Sequence, residues 1–251
     1  MLSAIPNKKE TELINSINQM VRSGIDRQRL EEIRFSAKKM QDMGGSYYSA
    51  AKRILGMAAA LIGDVNECEV QFNAAFRHSG RTVDLLKAYS VSLWNLRQIR
   101  RNLEIVDELF ELSPDNPEFV KTAIHHHWAA FDVEGTKRYI IHAEKLKLPL
   151  ESLMTTFPIS LELISKILED TGSTWEQVCE RVELTSNVLN RLGLHSTGID
   201  STLVDGIVLH DYKIVANVDS VIQAEDEMND AIANMPFSPA DKAIYFSCSA
   251  A

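Results

Sequence analysis

The chain has 251 residues, 45% hydrophobic and 24% charged, a balance that supports a folded core and argues against a largely disordered chain. No stretch approaches the ~18 apolar residues of a membrane span, and the opening MLSAIPNKKETELINS lacks the basic-then-apolar pattern of a secretory leader. The net charge of −9 is lopsided: residues 1–48 carry 8 Lys+Arg and 6 Asp+Glu, residues 49–150 carry 13 of each, and residues 151–251 carry 5 against 16, which disfavours an extended nucleic-acid surface on the C-terminal part.

Residues 8–22 place Leu13, Ile14, Ile17 and Val21 on one helical stripe, and Ser23-Gly24 ends it. A second helix begins at Asp26, carries Leu30, Ile33, Ala37 and Met40 inward, and stops at Gly44-Gly45. Residues 1–48 therefore read as an N-terminal helical hairpin.

Residues 49–150 hold three stretches with a common period of 34, beginning at Ser49, Val83 and Pro117. Each reads as an apolar helix, a polar break and a second apolar helix, with breaks near Gly63-Asp64, Arg97-Gln98 and Asp132. In the second copy Leu85, Leu86, Tyr89, Leu93 and Leu96 form one stripe and Leu103, Val106, Leu109, Phe110 and Leu112 its counterpart. Neither stripe is buried by its own helix, so each needs a hairpin partner and a neighbouring copy. Leu55-Gly56, Phe72 and Ala75 in the first copy, ELSPDNP (Glu111 to Pro117) in the second and Ala143 in the third resemble the landmarks of the tetratricopeptide repeat. Leu109, Ser90 and Ile124 depart from that pattern where it has small residues. The resemblance implies an antiparallel α-hairpin solenoid whose first helices line a concave groove.

Under that resemblance Arg53, Lys87 and Lys121, each 34 residues from the next, form a basic column in the groove, with Trp94 and Trp128 further along the same helices and His125 one turn beyond Lys121. Cations beside indoles suit an acidic or C-terminal peptide segment. Met57, Val91 and His125 occupy the places of the family's clamp asparagines, so that version of the site is not expected. His125-His126-His127 are about 100° apart on a helix and cannot chelate one ion together; no metal and no cofactor is expected.

Residues 151–195 read as further helices or a cap, with a Thr174/Gln177 capping box and a stop at Gly193. Residues 196–251 read as a small acidic β-β-α-β segment: strands at Leu203–Leu209 and Tyr212–Val218 around a His210-Asp211 turn, a helix from Asp219 to about Met235, and a strand at Lys242–Ser249. Glu225, Asp226, Glu227 and Asp230 line one face of that helix. The whole is read as mainly α, with a small C-terminal α+β segment.

Asp205, His210 and Asp211 lie close together, but no nucleophile motif or phosphate loop accompanies them, so no enzyme is expected. Cys68, Cys179 and Cys248 read as free thiols of a reducing cytoplasm, Cys179 packed and Cys248 closer to the surface. The leading expectation is an adaptor, chaperone or regulator that holds a protein segment in the groove. The alternative is a scaffold whose acidic C-terminal part, through Glu225, Asp226, Glu227 and Asp230, binds a basic surface. An RNA-binding helical repeat is a lesser alternative, resting on Lys87, Arg97, Arg100 and Arg101. No membrane partner is expected, and self-association through Phe110, Phe119 or Phe131 is open.

Overall fold

The computed structural model describes residues 8–150, 159–194 and 196–250. The first residues of the N-terminal hairpin and part of the 151–195 stretch lie outside them. The described residues form eleven α-helices and a three-stranded sheet, and among them no helix is long and apolar enough to cross a membrane. The chain divides after Leu96 into two compact units, inside the stretch read from the sequence as the second copy.

The first unit contains α1 (Lys8–Ser23), α2 (Arg27–Met43), α3 (Ser46–Leu61), α4 (Val65–Ser79) and α5 (Val83–Asn95). Asp26 caps α2 through Arg29 N–H, and Leu30, Ile33, Ala37 and Met40 are its buried face, as expected. On α1 the inward stripe is Leu13, Ile17 and Met20; Val21 faces out, because a stripe of i, i+4 and i+7 turns it away. The hub is α3, against which α1, α2, α4 and α5 all pack. Its small residues Ala51, Ala58, Ala59 and Ala60 are buried and allow that crowding. At Gly56 an added Cβ would lie 2.7 Å from the Phe72 ring, so the Leu-Gly landmark is a seat for the aromatic of α4. Phe72 continues into Tyr89 of α5, with ring centroids 4.8 Å apart. Each such buried ring contributes roughly 1.5–3 kcal/mol.

The second unit opens with α6 (Ile99–Leu112), α7 (Pro117–Ala129) and α8 (Val133–Lys145). Leu103, Val106 and Leu109 are buried on α6, while Leu112 at its end is 51% exposed, because the helix stops there. Phe119 and Phe131 are core residues, and Phe110 packs edge-on against Tyr139 and His142, so these rings are engaged internally. A left-handed residue recurs at a fixed interval between successive helices: Gly63, Arg97 and Phe131 all have positive φ (75°, 56° and 64°), and Asp64, Gln98 and Asp132 follow as N-caps. Lys147 repeats the left-handed conformation after α8, at φ 55°.

Then follow α9 (Leu161–Thr171), α10 (Trp175–Arg191), β1 (Ser196–Val204), β2 (Ile207–Ile214), α11 (Val218–Ala233), a 3-10 turn (Pro239–Lys242) and β3 (Ile244–Ala250). The Thr174/Gln177 capping box opens α10 as expected. Buried Arg181 on α10 donates to Asp241 and to the Pro236 carbonyl, which fastens the 3-10 turn. The strand order is β1-β2-β3, antiparallel then parallel, with α11 as the crossover. The hairpin turn is Asp205-Gly206, with φ of 50° and 82°, and not His210-Asp211. Asp-Gly tolerates the positive φ values of a tight hairpin turn, so the strands sit earlier than expected and His210 and Asp211 fall inside β2. Likewise Asn217, not Asp219, caps α11, and β3 starts after the 3-10 turn. Val208, His210, Tyr212 and Ile214 point inward; Asp211 points out to Lys213, Ser247 and Ser249.

Candidate functional site: a doubly held histidine beneath a cavity

Three successive histidines on α7 have three different environments. His125 is half-buried, and burial lowers its pKa. His126 pairs with Asn102 at 2.7 Å; burial first, then the neighbouring histidines, push it down to about 3, so it is neutral. His127 is 3% exposed and is held at both ends. Its Nδ1 lies 2.6 Å from Asp132 and its Nε2 lies 2.9 Å from Asp107.

A neutral imidazole has one N–H, whereas an ionised carboxylate only accepts. With a carboxylate oxygen at each nitrogen, both bonds form only if both nitrogens carry protons, so His127 is an imidazolium. Burial works to lower its pKa, but the bonds to Asp107 and Asp132 outweigh burial and raise it above 6.5. The carboxylates mirror this. Burial works to raise Asp107, and the bonds from His127 and Tyr139 hold it below 3.8. Burial works to raise Asp132, and His127 and the Gly135 N–H hold it down. Tyr139 also donates to Asp107, Arg138 reaches Asp107 at 3.2 Å and the Tyr139 hydroxyl at 2.8 Å, and burial pushes the Tyr139 pKa up.

The cluster ties α6, α7 and α8 together, and local structure explains each placement. Asp132 is the N-cap of α8: one oxygen takes the Gly135 N–H at 2.9 Å and the other takes His127. Gly135 makes room for that pair. Ala59, Leu93 and His127 are spaced 34 apart in the chain and all buried, so at that spacing a cation stands where the two earlier positions hold core carbon. That polar residue at an otherwise apolar spacing, with an aspartate five residues on and a glycine three beyond it, is the signal by which the sequence marks the cluster.

A cavity of about 510 Å³ opens over the cluster, with Arg100, Glu104, Asp107, His127, Arg138 and Trp175 among its lining. Arg100 is clamped by Glu183 on α10 through its backbone N–H and both guanidinium contacts, at 2.6–3.1 Å. Because both His127 nitrogens are committed as donors, neither is available to take a proton from a bound molecule. Among the described residues no three His, Cys, Asp or Glu side chains are arranged to hold a metal ion.

The residues expected to bind a partner are distributed as follows. In the first unit, Arg53 on α3 forms an ion pair with Glu10 of α1, and both side chains are largely buried, at 13% and 12% exposed. Lys87 and Trp94 on α5 are half-exposed. In the second unit, Lys121 and His125 on α7 are half-exposed, while Trp128 is buried and donates its indole N–H to the Ile159 carbonyl at 3.1 Å. On α11, Asp226 and Asp230 are exposed, Glu227 pairs with Arg191 at 2.8 Å, and Glu225 accepts the Cys248 N–H. His210 is buried within the sheet and burial pushes it down to about 3, so it is a neutral core residue. Cys179 is buried as expected; Cys248 is buried too, and burial, then Glu225 and Asp211, push its thiol up to about 12.

Comparison with protein families, curated proteins and solved structures found no match to this chain.

Proposed function

We propose that this chain is a non-enzymatic partner-binding protein, an adaptor or regulator built on tetratricopeptide-like helical hairpins, and that the second unit's cavity receives a side chain from a protein segment. The observation that carries this reading is the closed protonation state of the cluster under that cavity. A buried histidine that serves acid–base chemistry leaves a ring nitrogen facing its ligand, whereas here both His127 nitrogens are spent on carboxylates and a walled space stays open above. The repeat-like reading draws on the packed pairs α3/α4 and α7/α8, the 34-residue interval of left-handed residues and the seating of Phe72 on Gly56. Lys87 and Trp94 in the first unit and Lys121 and His125 in the second are further candidate contacts; Arg53 and Trp128 serve their own units.

The acidic-surface alternative keeps Asp226 and Asp230 as exposed charges and has Glu225 and Glu227 engaged internally. The test is affinity capture with the full chain, followed by titration of the purified partner. Trp175→Ala or Lys121→Glu is expected to weaken binding by about tenfold or more, ~1.4 kcal/mol, while Asp226→Asn with Asp230→Asn leaves it unchanged. The opposite pattern would transfer the function to α11.

A further inference from the structure

We infer that the cavity is a receptor for an arginine side chain of the partner, an inference that rests on the partner-binding reading above. The argument is one of charge already spent. Each cation of the wall and floor lies against a carboxylate: Arg100 against Glu183, exposed Arg138 against Asp107, and His127 against Asp107 and Asp132. Two lining carboxylates pair with none of these cations. Glu104 stands exposed on α6, and Glu134 on α8 has an 85% exposed side chain whose contact with Lys137 is a solvated surface pair of little strength. The lining therefore carries more carboxylates than cations, and its charge is negative.

The wall adds shape to that sign. Trp175, the first residue of α10, lines the cavity half-exposed, offering indole surface beside the carboxylates. A cation over an indole is attracted to the ring quadrupole, and a guanidinium is planar, weakly hydrated and able to stack while it donates to a carboxylate. An anion entering the same space would meet Glu104 and Glu134 with the local cations already neutralised. The rigid salt-bridged floor also lowers the ordering cost of binding, since its side chains are held before the ligand arrives.

The experiment is a titration of the isotopically labelled full chain with N-acetyl-arginine amide, its neutral citrulline analogue and N-acetyl-glutamate amide. It is read at the Trp175 indole N–H, which is assigned by its loss in Trp175→Phe. Arginine amide is expected to shift that signal saturably with a dissociation constant on the order of 1–10 mM. The citrulline and glutamate compounds are expected to leave it in place. Glu104→Gln, a surface change that leaves the fold intact, is expected to weaken the arginine response about threefold or more, and added salt to weaken it likewise. An equal response to citrulline, a stronger response to glutamate, an unmoved indole at ~50 mM arginine amide, or an unchanged affinity in Glu104→Gln would overturn the assignment. Failure of this titration with partner capture intact overturns the ligand chemistry alone. Failure of capture with the titration intact overturns the partner reading and, with it, a peptide as the source of the cation.

Discussion

A Cβ on residue 135 would lie 2.3 Å from Nδ1 of His127 and 2.2 Å from the Asp132 oxygen that holds it. Glycine inside a helix costs about 1 kcal/mol relative to alanine. The first turn of α8 carries that cost so that a buried imidazolium can meet its cap aspartate.

Gly135→Ala therefore reverses the usual sign of a glycine-to-alanine change. The added methyl displaces either the His127 ring or the Asp132 carboxylate and leaves a buried charge poorly matched. The expected loss is about 2–4 kcal/mol of unfolding free energy, read by urea denaturation. A variant that is more stable than the parent would show that the His127–Asp132 contact does not form.

The cluster sets a pH window for stability. His127 has a raised folded pKa, so its contribution is full below the unfolded value near 6.5 and is lost as pH climbs through the folded value. Asp107 and Asp132 have lowered folded pKa values, so their contribution is present above the ordinary carboxyl range and is lost as pH falls through the folded values. Tyr139 and Arg138 on α8 face the same group and supply no competing titration between those limits. His126 on α7, neutral in the fold and held down to about 3 by burial, adds a loss of stability as pH falls below the unfolded histidine value and so steepens the acid side. Unfolding free energy measured from acid to mildly alkaline pH is expected to peak between the two limits, and His127→Gln is expected to remove the fall on the alkaline side. An alkaline fall that survives in His127→Gln would assign it to another group.

Arg181 is 2% exposed and depends on Asp241 for its charge partner. Asp241→Ala strands a buried guanidinium on the Pro236 carbonyl and is expected to cost about 3–5 kcal/mol. Adding Arg181→Met in the same chain is expected to recover much of the loss, because the unpaired charge is then gone. Chemical denaturation of the two variants checks this; equal stability of the single and double variants would count against the pairing.

In the first unit, Gly56→Ala pushes a methyl into the Phe72 ring, 2.7 Å from where its Cβ would stand. Overpacking of this kind costs about 1–3 kcal/mol. Hydrogen exchange should quicken in α3 and α4 first. Unchanged protection there would mean that the ring slides aside without cost.

The parts of the molecule that were legible in the sequence are those set by local chemistry. Asp26, the Thr174/Gln177 box and the breaks at residues 63–64, 97–98 and 132 all do in the structure what their side chains and spacing announce. Asp205-Gly206 was legible too, but the β-branched run over Leu203–Leu209 masked it, and that misplaced His210 and Asp211. What the sequence could not supply was long-range pairing. Nothing near Arg53 points to Glu10, and nothing near Trp128 points to the Ile159 carbonyl, so two residues that looked like groove contacts have internal partners. His127 was hidden differently: its histidine neighbours invited a metal argument, and the informative comparison was with the buried Leu93 and Ala59, 34 and 68 residues earlier in the chain.

The left-handed residues at the helix reversals carry a lesson for stabilising this scaffold. Phe131 adopts a conformation that favours glycine, and its ring fills the core in return. Lys147 adopts the same conformation after α8 with its side chain exposed. Lys147→Gly is accordingly expected to raise the melting temperature, with a gain of about 0.5–1 kcal/mol, while Phe131→Gly lowers it. The backbone geometry is shared, so the difference between the two lies wholly in what each side chain touches, and the exposed reversal is the one at which an engineer can relax strain without surrendering packing.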